Sequence, residues 1–143
     1  MIAVIFAAQF AALPIPEGCE RIRDGAHNAE CAERALEEAD SKLDELRGKI
    51  RLVGDRFSTM SLDGGGGDPS IDPRTKMREI FDTADLQWHA YRKAECAAQN
   101  VTLEEGYEDF VAYKTCLTLH ARMRIASLEA AFGPYIKFLE SSE

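Results

Sequence analysis

The sequence predicts an all-α fold, a disulfide-stapled bundle of three main helices with a short apolar C-terminal extension. Three observations carry that expectation. Apolar residues recur at three- and four-residue steps over three long stretches, no run sustains two-residue alternation beyond the first few positions, and four cysteines stand beside expected helix ends. At 143 residues the chain has the length of one domain, enough to bury about two thirds of its unfolded surface. Hydrophobic residues at 45% and charged residues at 29% fit a protein with a core.

Residues 1–16 form an apolar leader, in which MIAVIFAAQFAAL is broken only by Gln9. Its length is that of a signal-peptide core and too short to span a bilayer, so export is expected and membrane insertion of the mature domain is not. No Lys or Arg precedes the run and no clean A-x-A site closes it. Lipid anchoring at Cys19 is disfavoured, since Pro16 holds the position where a lipoprotein signal carries a small or branched aliphatic residue.

Residues 17–143 are the expected helical domain. Its first helix follows the Asp24-Gly25 turn, with Asn28 as cap and a stripe of Ala32, Leu36, Ala39, Leu43, Leu46, Ile50, Val53 and Phe57. Most of its charges, from Glu33 to Lys49, lie off that stripe and give it a solvated face. Gly48 and Gly54 weaken its later turns. Residues 61–72, with Gly64 to Gly67 between Asp63 and Asp68, read as a linker; no Gly-Lys-Ser/Thr follows a strand there, and the ligand spacing of a calcium loop is missing.

The second helix is expected from Asp72 or Pro73, burying Met77, Phe81, Ala84, Trp88 and Tyr91, with Cys96 near its end. Thr102 with Glu105 makes a capping box for the third helix, or that helix starts nearer Glu108. Phe110, Tyr113, Leu117, His120 or Ala121, Arg124 and Leu128 form its inner stripe, and Gly133-Pro134 is expected to stop it. Tyr135, Ile136, Phe138 and Leu139 then fold back over the bundle or meet a partner.

Four cysteines allow three pairings. Cys19 with Cys31 and Cys96 with Cys116 are expected, because each bond closes a short local loop, worth about 3 kcal/mol for the second. Asp40, Arg92 and Arg124 are expected to form a polar cluster in or beside the bundle, a carboxylate pairing with guanidinium groups to set helix register. Leu36, Leu43, Leu46, Trp88, Tyr91 and Leu117 are the expected core, and His89 is placed on the outer face.

Seventeen basic against twenty-five acidic residues give a net charge of −8, which repels nucleic acid and attracts cationic partners. No nucleophile stands in a strand-turn-helix elbow, so catalysis is not expected. Cys116 and His120 lie one turn apart without a second pair to complete a metal site, so no metal or other cofactor is expected.

The residues assembled here resemble the lysozyme inhibitor LprI-like family of small bacterial exported proteins. That pattern places Cys-Ala before a helix carrying Ala-Asp-x-x-Leu-Asn, then Ala-Gln-x-x-Trp-x-x-Tyr-Arg-Asp-x-x-Cys, a glycine-bearing loop, and Cys with Leu-Thr-x-x-Arg-x-x-x-Leu. The chain supplies Cys31-Ala32, Ala39-Asp40 with Leu43-Asp44, Ala84 with Trp88, Tyr91-Arg92 and Cys96, then Gly106, and Cys116 with Arg124 and Leu128. It departs at Asp44, Asp85, Lys93 and His120-Ala121. The resemblance implies an exported helical domain with disulfides, periplasmic or secreted, that acts by binding a protein partner such as a cationic lysozyme. Exposure and charge nominate Asp63, Asp68, Glu104, Glu105, Glu108 and Asp109 as its contacts.

Overall fold

The computed structural model describes residues 17–19, 24–57, 77–100 and 107–142, and in it the chain forms three helices. These are α1 (Gly25–Phe57), α2 (Met77–Gln99) and α3 (Tyr107–Glu140), with no strand among the described residues. At 1.5 Å per residue α1 and α3 are each about 50 Å long and α2 about 35 Å.

Cross-helix pairs set the directions. Glu33 meets Lys114, Lys42 meets Glu129 and Lys49 meets Glu140, so numbering rises together on α1 and α3 and the two run parallel. Asp40 meets Arg92 while Asp55 meets Arg78, so α2 runs antiparallel to both. The order is up, down, up, and α1 against α3 makes the largest interface.

The apolar spacing on α1 and α3 builds two clusters rather than one. The larger holds Leu43, Leu46, Ile50 and Val53 of α1, Phe81 of α2, and Ile125, Leu128 and Ile136 of α3, with Met77, Trp88, Phe132 and Leu139 packed on it. A smaller one joins Leu36, Cys96 and Leu117, with Tyr113 and Cys116 alongside. Both disulfides lie at that second end: Cys19–Cys31 at the start of α1, and Cys96–Cys116 between the end of α2 and the start of α3.

Local expectations need four corrections. Asp24, not Asn28, caps α1: its Oδ1 accepts the His27 amide at 2.9 Å, and its carbonyl takes the first helical bond from Asn28. On α2 the buried positions are Phe81, Asp85, Arg92 and Cys96; Tyr91 is 56% exposed and Ala84 is exposed as well. On α3, Phe110 is exposed where an inner position was expected.

Pro134 does not stop α3. The helix runs through it to Glu140, although a mid-helix proline removes a backbone bond at a cost of about 3 kcal/mol. The last turns are held by what they touch: Ile136 is buried, Leu139 packs on the large cluster, and Glu140 pairs with Lys49. The C-terminal extension is therefore part of the third helix. The expected start of α2 at Asp72 or Pro73 and the Thr102 cap lie outside the described residues.

Candidate functional site

The seam between α1 and α2 is polar. Along α1 stand Asp40, Arg47, Arg51 and Asp55; opposite them on α2 stand Arg92, Asp85, Asp82 and Arg78. Each position faces its opposite sign, at 2.8, 2.8, 2.7 and 2.9 Å respectively. The spacing on one helix matches that on the other only when they run antiparallel. A one-turn slip sets Arg51 against Arg78, so the charges specify register as well as direction.

Arg47 is the most enclosed member. Its Nε lies 2.8 Å from Asp85 Oδ2, both side chains are more than nine-tenths buried, and its two Nη groups reach Asp44 and His89. The Nε–H makes no aligned hydrogen bond, so the Asp85 contact is primarily coulombic, and Asp85 Oδ1 is buried without a partner. His89 is half-buried here rather than on the outer face, because Arg47 draws it in as an acceptor. Burial and then the Arg47 charge hold its pKa below 6.5, keeping the imidazole neutral.

The expected cluster of Asp40, Arg92 and Arg124 is joined differently from the expected way. Arg92, 3% exposed, donates from Nη1 to Asp40 at 2.8 Å. Arg124 makes no ion pair with Asp40; its guanidinium lies 5.6 Å from the Trp88 ring centre, and that of Arg92 lies 5.3 Å from it. Trp88 is thus the element common to the two arginines, and its π-face offsets part of the cost of Arg92 and Arg124 Nε atoms buried without hydrogen bonds. A cation next to a tryptophan four residues away on one helix was visible in the spacing of Trp88 and Arg92; the role of Trp88 in linking α2 to Arg124 was not.

Leu36, Leu43, Leu46 and Leu117 are buried and Trp88 is half-buried. The ligand atoms of Cys96, Cys116 and His120 lie within 4.8 Å of one another. The thiolate is the metal-binding form of cysteine, and both sulfurs are bonded to each other here, which leaves one imidazole. Tyr91 packs edge-on against that His120 ring at 6.0 Å, closing the α2–α3 contact from outside.

Of the nominated contacts, Asp63, Asp68, Glu104 and Glu105 lie outside the described residues, as does the Glu108 side chain; Asp109 is half-buried at the start of α3. Other described carboxylates free of ion pairs stand on α1. Glu30, Glu37 and Glu38 are exposed on the outward face of α1 and pair with no cation among the described residues, beside Asp44 and Glu45, which are exposed too. Such an array offers electrostatic attraction without a catalytic constellation.

The family description "Lysozyme inhibitor LprI" matches residues 19–128. The chain belongs to the LprI family. The matched span runs from the first cysteine to Leu128 and so takes in both disulfides, the polar seam and Trp88. No match was found among curated proteins or among solved structures. Against the LprI-like pattern, the departure at Asp85 has a physical counterpart in this chain: the carboxylate faces the buried Arg47. The departure at Lys93 lies on an exposed position of α2. None of the described helices is long and apolar enough to cross a membrane.

Proposed function

We propose that this LprI-family protein is an exported, non-enzymatic inhibitor that binds a cationic, lysozyme-like muramidase. The family match over residues 19–128 is the observation that carries the reading. Two features support it. Paired cysteines suit an oxidising compartment outside the cytosol, periplasmic or secreted. A net charge of −8, with Glu30, Glu37 and Glu38 on one face and unpaired among the described residues, speeds encounter with a basic enzyme, while Asp63 and Asp68 of the glycine-rich linker and Glu104, Glu105, Glu108 and Asp109 supply contacts at its cleft. A muramidase activity assay tests it: micromolar protein lowers the rate of cell-wall lysis by a basic lysozyme, and an unchanged rate removes the proposal.

A second reading is a cell-envelope scaffold or immunity-type interaction module. It draws on Tyr135 and Phe138, which are 50% and 60% exposed on the last turns of α3. Substituting both with Ser separates the two, because partner capture fails under this reading while lysozyme inhibition is retained under the first.

A further inference from the structure

α3 is apolar on the side that faces neither α1 nor α2. Ala112, Leu119, Met123, Ala126, Ala130 and Gly133 fall on one outward line, and with Lys137, and with Cys116 at its edge where the sulfur turns to Cys96 of α2, they recur at alternating steps of four and three. That is the spacing of a coiled-coil seam, sustained over nearly four heptads, and apart from the bond of Cys116 to Cys96 of α2 nothing packs on it among the described residues. Leu119 is 54% exposed and Met123 49%. Four described charges of α3 are engaged within the bundle: Lys114 pairs with Glu33, Glu129 with Lys42, Glu140 with Lys49, and Arg124 lies on Trp88. Arg122 stands half-buried at the edge of the line. Asp109 and Lys137, one at each end of it and opposite in sign, pair with nothing among the described residues.

We propose that a second copy of this chain covers the face, with the two α3 helices antiparallel about a twofold axis between Met123 and Ala126. In that register Met123 meets Ala126 of the other copy and Leu119 meets Ala130, so each large side chain faces a small one and the helices approach closely. Lys137 comes beside Ala112 of the other copy, one turn from its Asp109, and the twofold repeats the pair at the opposite end. A parallel pairing sets Lys137 against Lys137 and loses both charge pairs. The occupant is therefore read from size and charge complementarity along a single helix, independently of the proposed inhibitor role.

Sedimentation velocity on the oxidised full chain at about 100 μM is expected to show twice the 15.9 kDa chain mass. Leu119→Glu and Met123→Glu each weaken association by about tenfold or more while keeping the helical circular dichroism spectrum, since both side chains are half-exposed. Carbodiimide treatment supplies the decisive arm. Asp109 and Lys137 of one chain are about 42 Å apart along the helix, so a zero-length cross-link between them forms only across two copies. Lys137→Glu weakens the dimer and Lys137→Glu combined with Asp109→Lys restores it. A monomer at that concentration, a dimer indifferent to Leu119→Glu, or a dimer without the Asp109–Lys137 cross-link overturns the proposal.

Discussion

Arg47 of α1 and Asp85 of α2 meet at 2.8 Å with both side chains more than nine-tenths buried, in a seam where the pairs Arg51–Asp82 and Asp55–Arg78 toward one end are half-exposed. Removing one partner of such a pair leaves a buried charge uncompensated. Asp85→Ala is expected to cost about 3–5 kcal/mol, and the double change Arg47→Met with Asp85→Leu to cost much less than the sum of the single changes. Urea unfolding of the single and double variants measures the difference.

His89 accepts from Arg47, and Asp85, Arg92 and Asp40 lie around it. Burial first, then Arg47, lowers its pKa in the folded chain relative to 6.5 unfolded. The unfolded chain therefore takes up the proton more readily. The stabilisation from a neutral His89 is complete above about pH 6.5 and is lost as pH falls through the folded-state value. Thermal melts between pH 8 and pH 5 are expected to fall more steeply for the natural chain than for His89→Gln; equal slopes count against this assignment.

Two glycines of α1 separate propensity from packing. A Cβ at Gly48 meets nothing within 4 Å, so Gly48→Ala is expected to stabilise by about 0.5–1 kcal/mol through the usual helical gain. At Gly54 a Cβ comes to 3.2 Å from the Arg78 amide nitrogen and 3.3 Å from Met77 Sδ, at the start of α2. Gly54→Ala is expected to forfeit that gain and lower the melting temperature below that of Gly48→Ala.

If the acidic face of α1 steers the encounter with a basic muramidase, Glu30→Lys, Glu37→Lys and Glu38→Lys together reduce the association rate by about tenfold or more at low salt. Their dissociation rate changes little. Stopped-flow binding over a salt series checks this, because the difference between variant and natural chain shrinks as salt rises.

How far the sequence alone could be read differs from helix to helix. On α1 the apolar period and the charged outer face agree, so the buried line from Leu36 to Val53 was legible. On α2 they disagree. Its inward positions include Asp85 and Arg92, and a search for apolar spacing settles one residue off, on Ala84 and Tyr91. The opposing charges on α1 that make those positions habitable are decades of residues away, beyond the reach of any local pattern. On α3 apolar residues occur on every side, so spacing could not separate the inner line from the outward one, and Phe110 was assigned inward wrongly. Pro134 is a local stop signal overruled by the burial of Ile136 and by the Lys49–Glu140 pair.

Because α1 and α3 run parallel, the two sulfur bridges gather at one pole of the molecule and the larger hydrocarbon cluster at the other. A reducing agent therefore acts on a single end. Amides near Leu36 and Leu117 lose their protection against deuterium first, while those near Ile50 and Leu128 keep theirs, and the rod frays from its sulfur pole like a rope whose whipping has been cut.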